Sequence, residues 1–596
     1  MDALCIHILI FLPLIAAVVV WSLPEERVDE ARQEPRPPPP QAYRVALWVG
    51  WVVLAASAWL WLRAGADGLV GEARLSWIAV GEQSAAGAAL GSGLQISYHV
   101  GVDAISAPLV LLTGLLVPLS VWCSRVYIRH RAREYYAWML LLTTGMLGVF
   151  VARDVLLFYV FFEFTLVPLY FIIGIWGGPQ RRYAANKFFL YTFAGSVITF
   201  AGILYLAVRA AQITSSSVVD FDLVRLSTLV LSREFGLSAE EQSLLFIAFF
   251  CGFAIKVPFF PLHTWLPLAH TEAPTAGSVL LAGVLLKLGT YGFLRFSLPM
   301  VPEGSLAWAQ AMGWLAIAGI LYGALACWVQ RDFKKLVAYS SVSHLGFCML
   351  GMFSMLPLGL SGSVLYMVNH GINTGALFLV VGMLYERYHT RDIDQIGGLA
   401  RQMPVLSFFL VLFVLASVGL PGLNGFVSEF TVLLAAYNSH VLGPWFGAVG
   451  ATGVILGAIY LLYMTGQVLF GPLKEPPHTP DLSTGLMRDL TPREIGILAP
   501  LAVLTVVLGV APRLITDTLD PALRTQILAR VSEADWRQAE GPQDGDGAGP
   551  AVNPRSAATR NLAADAGTLR SRLDPSSSAF GGLLRLTIET EAARAP

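Results

Sequence analysis

Apolar residues come in blocks of about twenty along most of the chain, the length a helix needs to cross a hydrocarbon layer about 30 Å thick. Fourteen such blocks occupy residues 5–22, 43–62, 104–123, 135–152, 154–176, 186–210, 243–262, 273–300, 307–328, 336–356, 358–385, 405–437, 446–470 and 494–512. Lipid admits only helices and closed barrels, because the backbone finds no water there to bond with. Barrel strands alternate polar and apolar residues with period two, and these blocks do not, so the pattern predicts an all-α polytopic membrane protein of about fourteen helices. The first block has no basic segment before it and no small-residue cleavage site after it, so it is read as a span rather than a signal peptide.

Polar stretches divide the blocks. Residues 25–41, EERVDEARQEPRPPPPQ, are Pro-rich and expected to be extended; a second polar stretch lies near 211–242. From about 531 to 596 the chain, with EGPQDGDGAGPAVNPRSAATR, holds too few large apolar residues to offset its ordering entropy, and disorder is expected. The resulting organisation is 1–103 for spans one and two with connecting loops, 104–300 for spans three to eight, 301–470 for nine to thirteen, 471–530 for span fourteen and its flanks, then the tail. Lys and Arg in short loops set orientation. One side collects Arg125, Arg129, Arg131, Arg133, Arg181, Arg182, Arg331, Lys334, Lys335, Arg387, Arg391, Arg401, Lys474, Arg488 and Arg493, among others, while the other holds far fewer. The basic side is therefore expected to be cytoplasmic, with both termini outside.

Composition narrows the function. Of 596 residues 55% are hydrophobic and 13% charged, against about 25% charged in a soluble domain. A net charge of -1 provides no basic field for nucleic acid. Cys5, Cys123, Cys251, Cys327 and Cys348 stand alone in apolar stretches, without the spacing of a zinc or iron–sulfur site, and read as small core residues.

The informative residues are charges at membrane depth: Glu163, Lys256, Lys287 and Glu429. At about 2.5–3.5 kcal/mol each, four such groups oppose insertion by roughly 10–14 kcal/mol, so they must face protein or water rather than lipid. His344 and His370 add two groups that titrate near neutral pH. Burial favours the neutral form of any of these, and a nearby opposite charge restores the ionised form. A buried Glu and Lys whose separation changes therefore take up and release a proton without any cofactor.

Two blocks carry breaks. KVPFFP places Pro258 and Pro261 just after Lys256, and GLPGLNGF places Pro421, Gly422 and Gly425 just before Glu429, inside a run of 33 residues that would span about 50 Å as one helix. Discontinuous helices in matching positions of two halves mark ion sites in transporters. The breaks fall in spans seven and twelve, and an odd offset of five makes spans 4–8 and 9–13 an inverted pair of repeats. Each group also has a plain structural reading. The four charges could be halves of structural ion pairs, and His344 and His370 could be satisfied packing residues. His263 and His270 read first as packing or capping residues of the HTWLPLAHTEAPT connection, Arg153 and Asp154 as a snorkelling cation and a helix cap, and RDFKK at 331–335 as a topogenic loop.

At these residues the sequence resembles a known family. FYVFFEFTLVPLYFIIGIWGG (158–178), KVPFFPLHTWLPLAHTEAPTAGSVLLAGVLLKLGTYG (256–292), DFKKLVAYSSVSHLGF (332–347), NHGINTGALFLVVGMLYERYHTRDI (369–393) and GLPGLNGFVSEF (419–430) look like the antiporter-type membrane subunits of proton-pumping NADH:quinone oxidoreductase, respiratory complex I, and most closely like the subunit M, or chain 4, family. The likeness covers about residues 100–470; residues 24–100 match weakly and the tail not at all.

The resemblance implies proton translocation coupled to electron transfer from NADH to quinone in other subunits. It assigns Glu163 to coupling with the neighbouring subunit, Lys256 to the broken helix, Lys287 to a connecting role, and His344 and His370 to a relay. Glutamate at 429, where sister subunits usually carry lysine, favours subunit M. The family implies subunits L and N as neighbours, a bacterial inner membrane location, and no cofactor in this chain, with NADH, FMN, iron–sulfur clusters and quinone handled elsewhere. The alternatives are a subunit of a multisubunit Na+/H+ antiporter or membrane-bound hydrogenase, an independent solute transporter, and a passive scaffold.

Overall fold

A computed structural model describes residues 1–24, 40–65, 68–80, 93–128, 130–216, 218–229, 237–482, 486–532 and 534. The expected extended segment at 25–39, nearly all of the tail and its short apolar patch at 580–586 lie outside the described residues.

Every one of the fourteen apolar blocks coincides with helix. In chain order these are α1 Asp2–Ser22, α2 Gln41–Arg63, α3 Ala107–Ser124, α4 Ala132–Val151, α5 Val155–Trp176, α6 Arg181–Ile213, α7 Ala239–Lys256, α8 Trp265–Glu272, α9 Thr275–Met300, α10 Pro302–Trp328, α11 Phe333–Met352, α12 Pro357–Tyr388, α13 Pro404–Val418, α14 Asn424–Asn438, α15 Pro444–Leu469 and α16 Pro492–Val510. Eleven of them, not fourteen, are long and apolar enough by themselves to cross a membrane. The blocks that fall short are the interrupted pairs α7/α8 and α13/α14, and α11, which carries Lys334, Lys335, three serines and His344. Both expected breaks are present. They exist because Pro and Gly follow Lys256 and Val418, and Gly419 closes α13 in the left-handed conformation at φ +82°.

Two helices differ from the rest in their surroundings. α9 and the central stretch of α12 are buried all round, whereas α1, α2, α6 and α15 expose a broad apolar face. α9 is also irregular: π-helical turns at Leu281–Leu285 and Phe293–Ser297 flank the segment carrying Lys287. Around them small residues draw helices together. Thr199 of α6 donates to Ala248 O at 2.9 Å and accepts from Gly252 N at 3.1 Å, so α6 and α7 meet almost backbone to backbone.

One element departs from the all-helical expectation. Residues assigned to a connecting loop form a hairpin, β1 Val70–Val80 and β2 Gly93–Val102, with β3 Val218–Asp220 adding parallel to β2. The register pairs Arg74 with His99 and Leu94 with Val219. The hairpin is fastened over the α4–α5 junction: Ser97 N donates to Asp154 Oδ2 (3.1 Å) and Arg153 N to His99 O (2.8 Å). Beyond α16, Arg513–Leu523 forms a further amphipathic helix, α17, burying Ile515, Leu519, Ala522 and Leu523. All five cysteines are free thiols, four of them buried, as expected of core residues.

Candidate proton-relay site

Lys287 is the deepest of the expected charges, with no exposure at all. Its Nζ lies 2.5 Å from Ala282 O, a carbonyl of the first π turn, and 2.6 Å from His370 Nδ1 on α12. A π turn widens the helix and frees carbonyls from the regular ladder, which is how an ammonium finds an acceptor on its own helix. If the ammonium donates, Nδ1 accepts and the His370 proton sits on Nε2, which has no other partner.

The row continues from His370. Its ring centroid is 5.8 Å from that of His344 on α11. His344 Nδ1 lies 2.6 Å from the Tyr366 hydroxyl, which donates to Glu429 Oε1 at 2.8 Å; the direct separation of His344 Nδ1 and Glu429 Oε1 is 3.7 Å. Around this stretch is a cavity of about 10 Å³ bounded by His344, Tyr366, His370, Asn373, Ser428 and Glu429, at the lower limit of what admits one water. Lys287 and His370 thus form one bonded pair and His344, Tyr366 and Glu429 a bonded trio, with the two imidazoles side by side between them. Tyr366 was not anticipated, although it stands four residues before His370 and so on the same helix face.

The second break supports the row. Asn369 Nδ2 donates to Asn424 O at 2.8 Å and Asn373 Nδ2 to Asn424 Oδ1 at 2.9 Å, so two amides of α12 fasten the start of α14. Gly425 lets α14 close on α13, where a Cβ would lie 1.8 Å from Ala416 O.

Glu163 and Lys256 stand apart from that row. Lys256 ends α7, its Nζ has no hydrogen-bond partner, and it sits 4.7 Å from the centre of the Phe162 ring. Glu163 Oε1 is likewise buried without a partner, beside Ser196 of α6. The carboxylate and the ammonium are near neighbours without a direct hydrogen bond. Glu163 is half-buried and lies between the exposed Val160 and Val167 on α5, so its face opens to the molecular surface. Gly289 of α9 packs on Lys256 Cβ, joining the two lysines through backbone contact.

The other titratable residues read from the sequence divide. Asp154 caps α5, accepting from Leu156 N and Leu157 N. Arg153 does not snorkel: it is 4% exposed and donates to Asp103 Oδ2 at 3.0 Å, where Arg295 also donates. That buried arrangement pairs residues far apart in sequence, a signal that spacing does not carry. Lys334 is not in a loop either; it is buried in the first turn of α11 and donates to Ala273 O. His263 packs against Phe260 and Tyr322, and His270 is stacked on Phe378 with neither ring nitrogen bonded.

Comparison with known proteins places these residues in a lineage. The family described as NADH:quinone oxidoreductase/Mrp antiporter, TM, matches residues 152–471, which hold all six expected site residues. The chain is 44% identical over 428 residues, 72% of its length and 81% of the relative's, to NADH-quinone oxidoreductase subunit M of Rhodobacter capsulatus. It is 37% identical over 514 residues to NADH-ubiquinone oxidoreductase chain 4 of Marchantia polymorpha, covering 86% of this chain and 94% of that one. Among solved structures, a chain of respiratory complex I from Thermus thermophilus with bound NADH superposes with a TM-score of 0.71 at 30% identity, over 90% of this chain and 99% of that one. A chain of the Mrp complex from Dietzia shares the fold at TM-score 0.69 and 21% identity, over 89% of this chain and 99% of that one.

Proposed function

The chain belongs to the NADH-quinone oxidoreductase subunit M family, and from that premise we propose how its buried groups divide the labour of moving protons. It is a proton-translocating, multi-pass membrane subunit of the NADH:quinone oxidoreductase complex. The antiporter-complex reading keeps only the shared fold, at lower identity.

In the proposed mechanism Glu163 and Lys256 are the switch, and Lys287, His370, His344, Tyr366 and Glu429 are the conduit. The observation that carries this assignment is the hydrogen-bonding distance from Lys287 to His370 and from His344 through Tyr366 to Glu429. Lys287 can donate to His370, His344 to Tyr366, and Tyr366 donates to Glu429, so a proton arriving at the lysine displaces each bond in turn toward the carboxylate. One water in the small cavity closes the step between the two imidazoles. Lys256, lacking a hydrogen-bonded counter-charge, holds its proton when Glu163 swings toward it and yields it when Glu163 turns outward. Because Glu163 opens to the surface between two exposed valines, a flanking subunit can set that position. We assign the flanks to subunits L and N, and the NADH, FMN, iron–sulfur and quinone chemistry to other subunits. The membrane is assigned as the bacterial inner membrane, with the basic loops cytoplasmic and both termini outside. Each charge moved against 100 mV costs about 2.3 kcal/mol, so the energy comes from electron transfer elsewhere in the complex.

The test is Lys256→Met and Glu163→Gln in the native membrane, reading NADH-driven quinone reduction and proton uptake together. Loss of both in a fully assembled complex is expected. Unchanged oxidation and pumping would reduce the pair to packing.

A further inference from the structure

Among the described residues, a buried carboxylic acid outside this row is Glu386. Glu386 occupies the last turn of α12, 9% exposed, and its Oε2 has no hydrogen-bond partner. The adjacent Arg387 cannot neutralise it, because its guanidinium is committed to Glu494 through two bonds of 2.9 and 2.8 Å and to three backbone carbonyls. What faces Glu386 is the Tyr127 hydroxyl just beyond α3, and Arg493 and Glu494 at the start of α16.

Inward from Glu386, the four-residue ridge of α12 runs through Gly382, Phe378 and Thr374 to His370, about 24 Å along the helix. Polar groups from elsewhere in the chain meet that ridge at Gly382, Phe378 and His370. At Gly382 the missing side chain leaves room for Thr275 and Tyr127: a Cβ would come within 2.6 Å of Thr275 Oγ1 and 2.8 Å of the Tyr127 hydroxyl. At Phe378 the His270 ring is stacked at 4.6 Å between centroids, wholly buried, with both nitrogens unbonded. At His370 stands Lys287. A buried imidazole with two idle nitrogens costs free energy as a packing residue, and it lies between a half-bonded acid and the conduit.

We propose that Glu386 collects protons at the basic end of the molecule and that Tyr127, Thr275 and His270 pass them along α12 to the Lys287–His370 pair. This rests on the assignment of that pair to the conduit. Glu386 serves as the loading group: its unbonded oxygen takes a proton arriving between the basic loops, and the Tyr127 hydroxyl hands one on as it receives one, so no charge is left behind in the apolar interior.

The experiment uses the whole complex in inverted membrane vesicles and measures NADH-driven proton uptake against pH for Glu386→Gln, Glu386→Asp, Tyr127→Phe and, as control, Lys287→Met. With the acid gone, uptake depends on direct capture from a dilute supply. Glu386→Gln should therefore slow pumping by about tenfold or more and move the alkaline limb of the profile to lower pH, and Glu386→Asp should restore most of both. Tyr127→Phe should act in the same direction. Parental rates and profile in Glu386→Gln would overturn the inference, as would equal losses in Gln and Asp variants at every pH, which is what a purely structural partner of Arg493 predicts. Should Glu386→Gln fail to assemble, Tyr127→Phe decides, because it leaves the Arg493 neighbourhood intact; an unchanged profile there overturns the proposal. Normal pumping in Lys287→Met would instead sink the conduit assignment itself.

Discussion

Replacing Tyr366 by Phe removes one oxygen from the conduit and leaves the ring, its packing against Phe347 and the fold in place. The hydroxyl is the sole bridge of hydrogen-bonding length between His344 (2.6 Å) and Glu429 (2.8 Å), whose direct separation of 3.7 Å is too long for a hydrogen bond. A hydrogen bond to a charged group contributes about 1.5–3 kcal/mol, so its loss weakens proton hand-over by roughly tenfold to a hundredfold. One compensation is built in. The adjoining cavity already approaches the room one water needs, and the deleted oxygen enlarges it, so a water can take the hydroxyl's place and the effect should fall near the tenfold end. The assay is proton uptake per NADH oxidised in vesicles containing the intact complex, with oxidation also measured after uncoupler. Coupled turnover should fall about tenfold, and the uncoupled rate should fall with it if protons must clear Glu429 before the next turnover. A fully assembled Tyr366→Phe complex that pumps within twofold of the parent would refute the reasoning, since the hydroxyl would then not be needed to carry a proton from His344 to Glu429.

Two further outcomes follow from the geometry. Gly425→Ala puts a methyl group 1.8 Å from the Ala416 carbonyl, a clash with backbone that only separation of α13 from α14 relieves; we expect a sharp drop in assembled complex on native gels, and normal abundance with normal pumping would show that the close crossing is dispensable. The hairpin should loosen with rising pH. Burial opposes the charged imidazole of His99, but its hydrogen bonds to Asp222 (3.0 Å) and Glu72 (2.9 Å) outweigh that and hold its pKa above the ordinary 6.5. Burial likewise opposes the charged Asp222, and the His99 bond outweighs it, keeping that carboxyl below the ordinary 3.8. The His99 contribution is therefore complete below 6.5 and lost as pH rises through its raised value, while that of Asp222 is present above 3.8 and lost only as pH falls through its lowered one. Protection factors of strand amides 93–102, that is exchange corrected for the intrinsic base catalysis of amides, should fall on the alkaline side and hold constant between those limits, and constant protection on the alkaline side would exclude the clamp.

The helices were legible because lipid imposes one rule on every span, and twenty apolar residues in a row satisfy it regardless of tertiary context. The same rule made Glu163, Lys256, Lys287 and Glu429 conspicuous: a charge that lipid would refuse announces an interior position. Tyr366 and Asn369 escaped notice because a hydroxyl or an amide costs far less to bury and both residue types are common in spans. The Asp103 cluster escaped because its partners, Arg153 and Arg295, lie 50 and 192 residues away along the chain. The hairpin was legible in part: Leu94, Ile96, Tyr98, Val100 and Val102 alternate with polar or small residues, a period-two signal that is short beside the apolar blocks, while its partner β1 is set by the cross-strand pairing.

Lipid exposure also explains which helices carry the chemistry. A helix facing the bilayer must spend one side on apolar residues, and a titratable group there is bound to a single remaining face. α9 and α12 are enclosed by other helices over their central stretches, so Lys287 on one and the ridge carrying Tyr366, His370 and Glu386 on the other meet protein rather than lipid, with partners on α11 and α14. The interrupted helices contribute what continuous ones cannot: a helix end that leaves Lys256 Nζ without a hydrogen-bond partner, and a helix start close enough for two amides of α12 to bond Asn424. A proton path running across the molecule in the plane of the membrane therefore requires both features together: a core shielded from lipid to hold the groups, and breaks at its edges where charge can enter and leave it.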